Sequence, residues 1–269
     1  MTGIAALSMY DLPEIRKATD AWWQTIAASL RAEGVPDVPS TLDRSRPVSA
    51  IWRDPLLVLS QTCGYPLTHE FAHALTAIAV PTYAADGCTP GRYRSAFLVR
   101  SDDPAAELDD LRDRRVAANS PDSQSGCNAL RAAIAPLSRG GRFFSEVIWS
   151  GMHRASIAAV RSGKADVAAV DAVSFALISR HAPDETSGLR VLDWSADAPA
   201  LPYATRRSID PVTRARLTAG LVRAAEDPSG ADARATLLID GLSEVDDRDY
   251  SPLPEMRKTA ERLGYPQLA

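Results

Sequence analysis

The sequence predicts a two-lobe α/β protein in which each lobe is a mainly parallel sheet flanked by helices, with a ligand cleft between the lobes. Three observations carry this. Short apolar runs alternate with helical stretches along the whole chain, the pattern of strands linked by covering helices. Two extended crossings interrupt it, one near Tyr93 and one at 198–203, where Pro199 and Pro202 bracket a stretched segment. The 269 residues, 45% hydrophobic and 24% charged, suffice for a large core divided between two bodies. Two crossings imply an inserted lobe. Residues 1–93 and 203–269 form lobe 1, residues 94–202 form lobe 2, and the hinge falls near 93–95 and 200–203.

The elements follow in order. Residues 4–10 form a buried apolar strand. Pro13 opens a helix through residue 31, because a first helical turn tolerates proline. Ala18, Trp22, Ile26 and Leu30 give it one apolar stripe, and of the pair Trp22-Trp23 one ring is expected in the core and the other partly exposed. Gly34, Pro36 and Pro39 stop it. Residues 56–59 are a strand, 65–75 a helix and 77–80 a strand. Residues 94–100 form a strand ended by Ser101-Asp102-Asp103-Pro104, followed by a short helix at 107–111 and a strand at 115–118. A helix covers 125–137. Strands at 147–149, 167–170 and 189–192 alternate with helices at 153–161 and 173–180. Three helical stretches, 211–225, 231–238 and 254–263, close the chain.

Composition removes several function classes. Thirty Lys and Arg against 34 Asp and Glu give a net charge of −4, with no basic block, so neither nucleic acid nor an anionic membrane is an expected partner. No apolar run approaches the ~18 residues of a membrane span. Cys63, Cys88 and Cys127 are an odd set without CxxC spacing, which argues against a disulfide framework and a cysteine zinc site, although one Cys63–Cys88 bridge stays open. The first residues carry neither a basic n-region nor a signal-length apolar run. The chain as written is expected in the cytoplasm, or in the periplasm if an export signal is missing from the sequence.

The most informative stretch runs from Val116 to Arg131. A strand enters a turn of small polar residues, Ser123-Gln124-Ser125-Gly126, and then a helix. First-turn N–H groups lack partners inside a helix and carry the positive end of its dipole. Ser123, Gln124 and Ser125 add donors, and Gly126 permits close approach of the backbone. The turn is suited to a phosphate-like or carboxylate group, and an ordinary serine-capped helix has the same local chemistry. Ser150–Ser156 repeats the strand–turn–helix design, with His153 at the helix start. Asp171 stands at the carboxyl end of another strand, where open α/β sheets place ligands.

These segments resemble the substrate-binding proteins of phosphate, phosphite and phosphonate ABC transporters, the PhnD-like group of type II periplasmic binding proteins. The similarity rests on Tyr93-Arg-Ser-Ala-Phe-Leu-Val-Arg-Ser-Asp-Asp-Pro104, the run at 110–116, Asp122-Ser-Gln-Ser-Gly126, Gly151-Met-His153, 165–171 and Leu201-Pro-Tyr-Ala-Thr-Arg206. It implies that the lobes close on a small anionic ligand and that an ABC permease is a partner. It also implies a site built from Ser123, Gln124, Ser125, Gly126, Tyr93, His153 and Asp171. Topology adds Tyr10, Thr62 and Tyr65 from lobe 1. Gln124 departs from the family, which has a small hydroxyl residue there. No catalytic residue, cofactor or metal is expected on this reading.

Two alternatives involve catalysis. One is a cytosolic enzyme on the same fold, resembling thiamin pyrimidine-precursor synthases. The other is a zinc hydrolase using His69-Glu70-Phe71-Ala72-His73, a literal HExxH read on a helix, but Thr76 and Ala79 stand where a metzincin needs Gly and a third His. GxSxG, Walker A and strand-linked GxGxxG signatures are missing.

Overall fold

The computed structural model describes residues 3–269. Contacts divide the chain into two compact units. Unit 1 comprises residues up to 84 together with Thr89–Gly91 and Pro199–Tyr250, and unit 2 comprises Ala85–Cys88, Arg92–Ala198 and Ser251–Ala269. The strands in chain order are β1 Ile4–Ala6, β2 Leu57–Gln61, β3 Leu75–Tyr83, β4 Cys88–Thr89, β5 Arg92–Tyr93, β6 Ser95–Arg100 and β7 Arg115–Ala118, then β8 Glu146–Trp149, β9 Val167–Asp171, β10 Leu189–Trp194, β11 Ala198–Pro199, β12 Tyr203–Arg206 and β13 Ile239–Glu244. The helices are α1 Arg16–Ala32, α2 Val48–Trp52, α3 Gly64–Thr68, α4 Ala129–Ile134, α5 His153–Arg161, α6 Ala172–His181, α7 Pro211–Glu226, α8 Ala231–Thr236 and α9 Pro252–Arg262.

Unit 1 is built on a five-stranded sheet in the order β1-β2-β12-β3-β13. Only β1 and β2 pair in parallel; β12 runs against both β2 and β3, and β13 runs against β3. Unit 2 has the order β10-β6-β9-β7-β8, with β9, β7 and β8 parallel and β6 and β10 reversed. The sheets are therefore mixed, where the sequence predicted mainly parallel ones. The cause lies in where the chain enters. β6 starts beside the carboxyl end of β9, with Ser95 opposite Asp171, and β12 starts beside the carboxyl end of β2, with Tyr203 opposite Gln61. A strand that enters at the end where its neighbours stop must run back against them.

The core of unit 1 gathers on α1. Trp22, Ile26 and Leu30 are buried as the stripe predicts, but Trp23 is buried as fully as Trp22, which corrects the partly exposed ring. α1 packs against both α7 and α8 as well as facing the sheet, so its apolar arc is wider than one stripe. The Trp22 indole donates to the Tyr203 hydroxyl at 2.8 Å, tying α1 to the sheet. Gly220 of α7 lets the helices approach, since a Cβ there would lie 2.7 Å from Leu30 Cδ2. In unit 2, Phe97, Val116, Leu130, Ile134, Phe143 and Val167 close one core on the sheet.

Five further expectations change. The strand predicted at 4–10 ends at Ala6, the region 198–203 yields the separate strands β11 and β12, and β13 was not anticipated. The helix predicted at 65–75 stops at Thr68: His69 leaves helical geometry at φ −121°, ψ −100°, and the following turns deliver buried Phe71 against Trp52 and Leu75 into β3. The final 19 residues group with unit 2, whereas the sequence division kept them in lobe 1. Polar side chains of α4 and the turn before it hold that segment, as described below. All three cysteines are free thiols. No helix among the described residues is long and apolar enough to cross a membrane.

Candidate functional site

In unit 2 the carboxyl ends of β7, β8 and β9 and the start of β6 lie along one rim of the sheet. That register brings Ser123, Gln124, Ser125 and Gly126 (after β7), His153 (after β8), Asp171 (the end of β9) and Tyr93 (two residues before β6) to a common edge. Gly151 N–H donates to the Asn119 carbonyl and Ser150 N–H to the Ala118 carbonyl, so the turns after β7 and β8 run side by side.

The turn after β7 opens unusually. Gln124–Asn128 is a π-helical turn, with Asn128 N–H reaching back to the Ser123 carbonyl at 3.0 Å, before α4 continues the helix. Such widened turns recur at functional sites. Ser123 is the N-cap: its Oγ accepts from Gly126 N–H at 3.0 Å. One first-turn donor is thus satisfied by the protein itself, so Gly126 contributes space rather than an N–H group. The Gln124 and Ser125 N–H groups have no bonded partner among the described residues. The role of Gly126 is steric, because a Cβ there would sit 1.9 Å from Asn119 Oδ1 and 3.3 Å from Asn119 N. Asn119 Oδ1 is itself buried without a hydrogen bond.

Ser125 is buried, and its Oγ lies 2.9 Å from His153 Nε2. Which atom donates depends on the imidazole tautomer. His153 as a residue is partly exposed, but its Nδ1 is buried without a hydrogen bond of ordinary geometry. Burial pushes the imidazole down to about 4, against a weaker upward pull from the backbone of Ala169. The ring is therefore neutral at pH 7. In the unfolded chain its pKa returns to 6.5. Above that value both states are neutral and stability is unaffected. As pH falls from 6.5 towards 4, only the unfolded chain gains the proton, so stability should decline by about 3 kcal/mol. Urea unfolding between pH 4 and 7 checks this. His153→Gln should remove that part of the slope, and equal slopes in the two proteins would contradict the assignment.

The structure also corrects one donor. Gln124 is fully buried and its side chain turns inward: Oε1 accepts from Asn128 Nδ2 at 2.7 Å, and Nε2 donates to Met256 Sδ at 3.5 Å. Its amide is committed to its own unit, which accommodates a residue bulkier than the family pattern expects. Asp171 is the N-cap of α6, with Oδ1 accepting from Ser174 N–H at 2.8 Å. Tyr93 is buried.

Tyr10, Thr62 and Tyr65 belong to unit 1. Tyr10 meets Tyr83 edge to face at 5.3 Å beside a cavity of about 20 Å³, room for one water, that Trp22, Gln61 and Tyr203 also line. Thr62 is buried and its hydroxyl donates to the Cys63 carbonyl at 3.2 Å. Tyr65 stacks on His69 at 3.8 Å. The His69 Nδ1 also lies 3.0 Å from the Tyr65 carbonyl oxygen, and His69 and His73 do not share a helix face, so the HExxH geometry of a zinc hydrolase is not formed.

Sequence reasoning missed Asn119, and it missed Asn128 and Arg131, which form a buried polar stripe with Gln124. Asn119 stands at a strand's carboxyl end by the same rule that singled out Asp171. The stripe has the spacing i, i+4, i+7 in an otherwise apolar helix.

Fold and rim together define a two-unit α/β binding protein with an anion-suited turn. The chain matches a protein-family model over residues 57–250, described as ABC transporter, phosphonate, periplasmic substrate-binding protein. It belongs to that family. No curated protein sequence matches it. Among solved structures, a binding protein component of an ABC phosphonate transporter from Pseudomonas aeruginosa superposes with a TM-score of 0.74 at 15% identity, covering 97% of this chain and 87% of that one. PhnD1 from Prochlorococcus marinus, in complex with methylphosphonate, gives 0.72 at 14% identity, with 97% and 98% covered. A Xanthomonas citri protein bound to ATP gives 0.70 at 19% identity, with 97% of each chain covered.

Proposed function

We propose that this protein is the solute-receiving component of an ABC uptake system, binding a small phosphonate- or phosphate-like oxyanion and handing it to a membrane permease from the periplasmic side. The observation that carries the reading is the pair of unspent N–H groups at Gln124 and Ser125, beside a serine hydroxyl held by a neutral histidine. Oriented amide and hydroxyl donors bind oxyanions well out of water. His153 Nε2, 2.9 Å from Ser125 Oγ, holds that hydroxyl in place on the rim. Tyr93 and Asp171 lie on the same rim, and Tyr10, Thr62 and Tyr65 are proposed as contributors from unit 1. The match to the family of transporter substrate-binding proteins favours a binding protein over an enzyme on the same fold.

Titration calorimetry with methylphosphonate, phosphate and acetate tests the proposal. Saturable 1:1 binding of methylphosphonate or phosphate, tighter than that of acetate, is the expected result. Heat signals at the level of dilution for both tetrahedral anions would overturn it.

A further inference from the structure

The rim donors are neutral, but the helix behind them is not. Arg131 lies on α4 with 5% of its surface exposed. Its guanidinium donates to the Asn128 side-chain oxygen and to the Pro266 carbonyl at 3.2 Å, while its Nε is buried without a partner. Both partners are uncharged, and none of the ion pairs among the described residues includes Arg131. Asp122, the nearest carboxylate in sequence, is exposed. A buried cation normally has a counter-ion, because desolvating an unpaired charge is costly.

Geometry gives this charge a direction. Helical side chains tilt towards the helix N-terminus, and the bond to Asn128 shows Arg131 reaching back one turn. Asn128 in turn donates to Gln124 in the first turn. Arg131 is six residues beyond Ser125, an axial rise of roughly 9 Å before the backward reach. We infer that Arg131 is a positioning residue that supplies the missing positive charge behind the turn at 123–126 and makes that site select dianionic over monoanionic ligands. A unit charge ~10 Å away at an effective dielectric of ~20 changes affinity roughly tenfold per unit of ligand charge. Its burial shields it from salt.

This rests on the proposed binding of an oxyanion at the rim. Methylphosphonate and methylsulfonate are tetrahedral anions of similar shape that carry two charges and one charge, respectively, at pH 8.5. Calorimetry at that pH should show wild type preferring methylphosphonate by at least tenfold, with little change in this ratio between 0.05 and 0.5 M NaCl. Arg131→Met should cut the ratio by about tenfold, and Arg131→Lys should retain most of it. A purely structural tie to Pro266 would weaken both ligands equally and leave the ratio intact, which would overturn the inference. Arg131→Gln, which keeps hydrogen-bonding capacity without charge, is the second variant if the methionine protein fails to fold, and it should lower the ratio in the same way. Wild type binding both anions equally would also overturn the inference while leaving the site standing. Wild type binding neither would count against the site itself.

Discussion

Replacing Ser125 with alanine is expected to weaken methylphosphonate binding by about 10- to 100-fold, with thermal stability nearly unchanged. Ser125 Oγ is buried at the helix start, 2.9 Å from His153 Nε2 and one residue from the unspent Gln124 N–H. A hydrogen bond from a neutral donor to a charged ligand contributes ~1.5–3 kcal/mol when the site is dry, which sets that range. The cost to the free protein is smaller, because His153 loses one partner and the alanine methyl leaves little void. Calorimetry on the wild type and Ser125→Ala proteins, with a melting curve for each, separates the two effects. Equal affinities would remove the hydroxyl from the site. A matched fall in affinity and melting temperature would recast Ser125 as structural.

The second large effect is steric. Gly126→Ala is expected to destabilise the protein by about 1–3 kcal/mol and to displace the turn, because the new methyl would overlap Asn119 Oδ1. The Asn119 oxygen makes no hydrogen bond that would be lost on removing it. Asn119→Ala should therefore be mild alone and should restore most of the stability in the double variant. That is a double-mutant cycle with a coupling of about 1 kcal/mol or more. Urea unfolding of the four proteins checks it. Additive effects would show that Gly126 is required for some reason other than Asn119. Restored stability together with restored methylphosphonate binding would place the whole effect in the position of the turn.

Much of the architecture could be read from local pattern. β7 and α5 have the bounds that apolar runs and turn residues mark, and the helix after Ser123 starts within a residue of its expected place. These segments obey strand and helix periodicity without competition. Other features depend on partners distant in sequence. The reversal of β6 and β12 follows from where the chain re-enters each sheet, which no local signal encodes. Trp23 is buried along with Trp22 on a helix that packs against both α7 and α8, partners distant in sequence. α9 belongs to unit 2 because Asn128 Nδ2 donates to the Leu253 carbonyl and Arg131 to that of Pro266, bonds that span more than 120 residues.

The site divides in the same way. The residue types at Ser123, Ser125 and His153 could be read because strand ends and helix starts are local, and the Ser125–His153 contact follows from two adjacent parallel strands. The inward turn of Gln124 could not be foreseen, since it depends on Asn128 and Met256 being there to receive the amide. Nor could the spending of Gly126 N–H on Ser123 be distinguished from a free donor, because a serine N-cap and an anion-binding serine look alike in sequence. The HExxH motif shows the opposite failure. Five consecutive residues matched a helical template, but the burial of Phe71 and the start of β3 at Leu75 impose a different backbone.

The most direct test is to follow the backbone amides of Gln124 and Ser125 by nitrogen-15 NMR while methylphosphonate is added. The account predicts that these two resonances shift downfield with the same saturation curve that calorimetry gives, while the Gly126 amide, already bonded to Ser123, moves less. Saturable binding with the Gln124 and Ser125 amides unmoved, and the large shifts elsewhere, would contradict it.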